Sequence, residues 1–329
     1  MNLILNHMKL LNTKWIVYAI WVLLGMSAHS ASAANYYWVG GSGDWSELSH
    51  WAAVSNGSGN AFSAPPTASD IVIFNRYSFT GSAQKVTVNS AANCGTIDFT
   101  DAVYTYKTSN NAPTFELNNH LTVTGDFIAP AAMKIANKSC LIFQGTGLKS
   151  INILSSISGS GSIKFQDQNG RWQLINNLTA VSNDVYLTKG TFNTAGKTLT
   201  IRRFISNSGE PRTLQLSSSK VQLRCVSLSS NGFWDIADPS NMILNSGSSE
   251  IEFYAASNNI KVTMKGGNLT YNKIKLNMAN SSPTSTSSVS NLTITGDNTI
   301  GTLNVTKGNL LLTGSNTFTS SVSLAAKER

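Results

Sequence analysis

Three tryptophans, Trp38, Trp45 and Trp51, fall within YYWVGGSGDWSELSHW, residues 36–51 of the 329-residue chain. With Tyr37 they are the residues whose types could bind a ligand, because sugar rings stack on exposed aromatic faces and a cluster of this kind makes a platform for a glycan. A second reading of the same residues is a cap. An indole that is buried removes about 150 to 250 Å² from water, which is what the end of an apolar column needs, and the cap is the favoured reading. Asp44, Glu47 and His50 lie within the same stretch and could meet at a metal ion. Three such side chains in a glycine-rich loop more often make local hydrogen bonds, so neither a metal nor a cofactor is expected.

Catalysis finds little to use. Glycoside hydrolysis needs carboxylates facing one sugar, and the best pair is Glu250 and Glu252 in SEIEF, two apart on a strand and so on one face. An ordinary solvent-facing edge, with Ile251 and Phe253 on the other side, explains them better. A lyase would add a base and a calcium-binding acid cluster, yet Asp167-Gln168-Asn169 reads as a turn. His120 precedes a strand at a turn, where exposure is the default. No nucleophile elbow, zinc-protease helix, phosphate loop or dinucleotide fingerprint is present, so no catalytic residue is assigned and a non-enzymatic protein is expected.

The formal charge of +8 falls to +6 once Lys9 and Lys14 are set aside. The basic residues are scattered, only Arg202 and Arg203 being adjacent, which argues against a nucleic-acid partner. Cys94, Cys140 and Cys225 show no redox or zinc spacing. Small and weakly polar, they fit beside strands packing inward, with a single disulfide left open.

The elements that would position these residues are short strands. Only 12% of residues are charged, and Ser, Thr, Asn and Gly are abundant. Runs such as KVTVN, LTVTG and KVQLR place apolar residues two apart and end in turn formers, the period of a half-buried strand. No segment has the period of a helix. Internal similarity narrows the architecture: Leu121–Gly125 (LTVTG) returns at 292–296 (LTITG) and 310–314 (LLLTG), and TKG at 188–190 returns at 306–308. Periods near 20 residues point to solenoid rungs. An all-β, right-handed parallel β-helix with an aromatic N-terminal cap is therefore predicted, at roughly 20 to 25 residues per rung. In it, apolar side chains fill the column and Asn, Ser and Thr stack at the corners. Tandem antiparallel β-sandwiches are the alternative, although hairpin dipeptides are sparse.

Residues 1–33 read as a signal peptide: Lys9 and Lys14, an apolar run from Trp15 to Met26, and small residues at Ala31-Ser32-Ala33. The run is short of the roughly 20 residues of a membrane span, and none follows it. The expected organisation is a cap and loop at 34–69, a solenoid over 70–278, a Ser/Thr-rich loop at 279–290 and final rungs at 291–329. The lack of a polar cap after GSNTFTSSVSL suggests a truncated solenoid or one that stacks on a partner.

The opening stretch resembles the WVGG-x-G-x-W-S start of large repetitive surface proteins of Bacteroidota-type bacteria. FQDQNGRWQLINNL, VYLTKGTFNTAGKTLTI and GGNLTYNKIKL are similar to repeat phrases in those proteins. The resemblance covers nearly all of the mature chain. It implies an exported, adhesin-like β-solenoid associated with type IX secretion, extracellular or on the outer surface, with glycans or another surface protein as partners. Family members often carry a C-terminal sorting domain, which does not follow Ser323 here, and the family supplies no catalytic residues to carry over.

Overall fold

The computed structural model describes residues 33–57, 62–102, 110–226, 232–255, 260–278 and 290–324. Positions 1–32 of the expected signal peptide (1–33) and positions 279–289 of the Ser/Thr-rich loop lie outside the described residues. Residues 34–329 form one compact unit. Within it the described elements are strands, apart from a 3-10 turn at Leu48–His50.

The strands stack in three columns, and the chain visits each column once per rung. Trp38 lies opposite Trp51 in an antiparallel pairing of Asn35–Trp38 with Trp51–Ala52. All other strand pairings among the described residues are parallel, which excludes the antiparallel sandwiches. Parallel pairing between rungs satisfies the backbone of each strand from above and below. The molecule is an all-β parallel β-helix.

Register turns the two-residue period into continuous inner ladders. In one column Leu121, Leu141, Ile163, Val185, Phe204, Trp234, Met264, Ile294 and Leu312 occupy equivalent positions. In another, Leu178, Leu199, Val221, Ile251, Ile274, Leu303 and Val322 do the same. The third begins Tyr36, Val72, Ile97, Phe127 and Ile151. Since successive side chains on a strand face opposite ways, each ladder fills the column while its neighbours face out. Rungs vary in length, from the 18 residues between Ile294 and Leu312 to the 30 between Trp234 and Met264 and the 36 between Tyr36 and Val72. The variation sits in corner loops, which can lengthen at little cost.

Corners are closed by the amides and hydroxyls the composition supplied. Asn137 Nδ2 donates to Asn183 Oδ1 at 2.9 Å, Asn298 Nδ2 to Asn316 Oδ1 at 3.0 Å, and Ser219 Oγ to Thr194 Oγ1 at 2.7 Å. Each bond joins one rung to another, so the polar residues stitch the stack along its axis. Aromatic rings continue the inner contacts, with Phe143, Phe165 and Phe192 stacked at 5.3 and 4.3 Å and Phe204 on Trp234 at 4.6 Å. Trp172, 5.2 Å from Phe165, and Trp234 are thus links in a chain of rings and not isolated members of their rungs.

Candidate functional site

The residues predicted to form a glycan platform point in opposite directions. Tyr36 and Trp38 face the column, which leaves Tyr37 between them facing out and half-buried. Trp38, Trp45 and Trp51 are at most 2% exposed, so no indole face is open to a sugar. Trp51 stands edge-on to Trp38 at 5.0 Å and to Trp45 at 4.8 Å, and Trp38 stacks on the His50 ring at 4.6 Å. Trp38 Nε1 donates to Gly41 O and Trp51 Nε1 to Trp45 O. Gly40 and Gly41, with φ of 83° and 81°, turn the chain sharply at a conformation other residues rarely adopt. The VGG of the opening motif is therefore a bend that folds the third tryptophan back over the first.

Asp44, Glu47 and His50 make local contacts. The Asp44 backbone N–H donates to Glu47 Oε2 at 2.9 Å, and the same oxygen lies 3.3 Å from His50 Nε2. Asn89 Nδ2 donates to Asp44 Oδ2. No group of three or more His, Cys, Asp or Glu side chains is placed to hold a metal ion among the described residues.

The outward side chains of the column from Thr198 to Lys307 form the most organised polar surface. The inner ladder of Val221, Ile251 and Ile274 fixes what lies between: Lys220, Glu250 and Lys273 are in register, as are Gln222, Glu252 and Lys275. Lys220 Nζ lies 2.6 Å from Glu252 Oε2, and Lys275 Nζ 3.1 Å from Oε1. Gln222 Nε2 and Asn277 Nδ2 donate to the same carboxylate at 2.9 and 3.1 Å. Glu250 is bracketed by Lys220 at 3.7 Å and Lys273 at 2.6 Å. Glu252 faces out yet is only 3% exposed, because its partners close over it. The sequence-based picture of a solvent-washed strand edge is wrong for this residue. Burial alone would raise the Glu252 carboxyl, but hydrogen bonds from Lys220, Gln222, Lys275 and Asn277 outweigh it and hold the pKa at about 2.

The same construction recurs twice. Asp184, buried where its strand passes the next rung, accepts from Arg202 Nε at 2.6 Å and Arg203 Nε at 3.0 Å. Desolvation opposes its ionisation, and the two guanidinium groups more than offset that and lower its pKa. Glu116 sits between Lys85 at 3.2 Å and Lys138 at 2.7 Å. Neither trio was identified from the sequence, since their members are 18 to 31 residues apart, one rung in each case.

Arg212 is buried and turns inward at a corner. Its guanidinium donates to Ser206 Oγ at 2.7 Å, to the carbonyl oxygens of Ser206 and Ser240 at 2.8 and 2.7 Å, and to those of Glu210 and Asp238. Loss of water lowers its pKa, but a fork of donors spent on carbonyls makes it a clamp for two corner loops. Cys94, Cys140 and Cys225 are free and buried, and desolvation raises the pKa of each thiol. Cys140 departs from the inward packing expected of it, since Leu141 beside it holds the inner register.

No family model, no curated protein and no solved structure matches this chain.

Proposed function

We propose that the chain is an exported, non-enzymatic, adhesin-like β-solenoid, acting at the cell surface as a stalk or binding surface. The observation that carries this reading is the use made of the outward carboxylates. Glu116, Glu250 and Glu252 each lie between cations of the rungs on either side, and Asp184 is held by two arginines of the next rung. A general acid or base must exchange a proton at working pH, whereas a carboxyl held at about 2 by four donors, as Glu252 is, stays ionised and braces the rungs on either side. The aromatic opening, buried as the first rung's cover, leaves the long outward faces as the surface a partner would meet. The resemblance of WVGGSGDW to the start of Bacteroidota surface proteins supports export and surface display.

The test pairs two readouts on residues 34–329: retention on immobilised polysaccharides and surface proteins, and release of new chain ends from the same polysaccharides. Retention without cleavage is expected. Depolymerisation that disappears in Glu250→Gln or Glu252→Gln would replace this reading with a polysaccharide-active enzyme.

A further inference from the structure

The bridged carboxylates leave the face from Thr198 to Lys307 positively charged. Asp184 is matched by both Arg202 and Arg203, while Glu250 and Glu252 share Lys220, Lys273 and Lys275. Arg224 and Lys307, both exposed, take no part in these bridges. Arg224 pairs in register with Tyr254, Tyr254 with Asn277, and Asn277 with Lys307, so they form one outward row. Ile201 pairs with Leu223, which brings Arg202 to the start of the same row.

We propose that this row and the lysines beside it form a docking lane for an acidic polysaccharide lying along the solenoid axis. The proposal rests on the reading of the chain as a binding surface and names its ligand class. Three features support it. First, the cations stand on strands of rungs stacked about 4.8 Å apart, with Arg202, Arg224, Lys273 and Lys307 on four of five successive rungs, and are not carried on flexible loops. Second, Glu250 and Glu252 hold three of the ammonium groups in place before any ligand arrives, which lowers the entropy lost on binding. Lys220, Lys273 and Lys275 nonetheless keep 38, 35 and 24% of their side chains exposed. Third, the same face carries Thr200, Gln222, Asn277 and Asn304, neutral donors and acceptors suited to sugar hydroxyls.

Nucleic acid fits less well. Duplex DNA carries a charge about every 1.7 Å, denser than a lane whose cations are partly neutralised by carboxylates. Single strands call for several stacking rings, and Tyr254 is the one aromatic residue of this row. A chain with one carboxylate or sulfate per sugar unit is closer to the lane in charge density.

The experiment measures binding of residues 34–329 to polygalacturonate, a sulfated glycosaminoglycan, neutral dextran and duplex DNA at matched ionic strength. Polygalacturonate or the sulfated chain should bind, and dextran should not. The double variant Arg224→Ser, Lys307→Ser should weaken binding by about tenfold, the scale of a lost charged hydrogen bond. Arg224→Lys with Lys307→Arg should keep it, as should Lys261→Ser on another column. Melting curves of the variants separate loss of binding from loss of fold. Equal or tighter binding to DNA, failure to bind either acidic polysaccharide, or indifference to the serine pair would overturn the lane. Failure to bind without any cleavage leaves the non-enzymatic reading standing, whereas cleavage removes that reading whatever the affinities are.

Discussion

At the Tyr36 end the inner column is closed by Trp38, Trp45 and Trp51, all at most 2% exposed, under a hairpin that pairs back antiparallel. At the Leu324 end, residues in the same inner register stand open: Leu312 is 37% exposed, Val322 48% and Leu324 65%, although Ile294, Leu303 and Val305 beneath them are buried. The ends differ in side chains and in strand direction, antiparallel at the first and parallel at the second. A rung in a stack is stabilised chiefly by its two neighbours. At the first end large rings cover the outermost described rung; at the other, the aliphatic residues of the last described strands are exposed.

The largest effect should come from opening the closed end. Trp51 touches Tyr36, Trp38, Trp45 and Phe74 at ring-centroid distances of 4.8 to 6.4 Å. Trp51→Ala should cost about 3 to 5 kcal/mol, the range for a buried aromatic ring cut to a methyl group. In chemical denaturation the midpoint should drop, and amide exchange should speed up first at Asn35–Trp38 and Ile71–Ile73. If Trp51→Ala leaves stability unchanged but abolishes retention on a neutral glycan, the cluster is a binding platform after all and the contrast between the ends loses its basis.

A middle-sized effect belongs to the outer ladder between the two ends. The Glu252 carboxyl falls from an ordinary 4.5 to about 2 on folding. A group whose folded pKa is depressed contributes fully above its unfolded value and loses that contribution as pH falls through the folded one. Stability at Glu252 should therefore be constant above about pH 5 and decline between 4.5 and 2. Glu252→Gln should remove about 2 kcal/mol at neutral pH and flatten the acid limb of the stability curve. An unchanged acid limb in the variant would mean that the bridges to Lys220 and Lys275 contribute nothing. Trp51→Ala, by contrast, should shift the whole curve without altering its shape, which distinguishes the two kinds of support.

Much of this was legible in the chain. LTVTG and its recurrences carry the two-residue period, so Leu121, Val123, Leu292 and Ile294 could be assigned to the column before any coordinates. The cap was legible because tryptophans cluster at 38, 45 and 51 and thin out afterwards. The ion trios were not. Asp184 meets Arg202 and Arg203, and Glu252 meets Lys220 and Lys275, only once register is known, and register depends on corner loops whose lengths vary from rung to rung. The platform reading failed for a simpler reason: Tyr37 and Trp38 are adjacent on a strand and cannot share a face.

The smallest effect is predicted at the open end, and it tests the contrast most directly. Leu324 lies in register with Val305, and Val322 with Leu303, so by sequence pattern each is a core residue. A core leucine cut to alanine costs about 2 to 5 kcal/mol. That cost arises from lost burial and an unfilled cavity, and Leu324, at 65% exposure, has little of either to lose. Leu324→Ala should thus change stability by under about 0.5 kcal/mol, while Leu303→Ala, one rung below Val322, should cost the full amount. Amide exchange should follow the same order, fastest along Asn309–Thr313 and Thr317–Leu324, which among the described residues pair with a strand on one side only. If Leu324→Ala proves as costly as Leu303→Ala in the isolated protein, that end is covered in solution, and a concentration-dependent melting point would show that a second copy provides the cover.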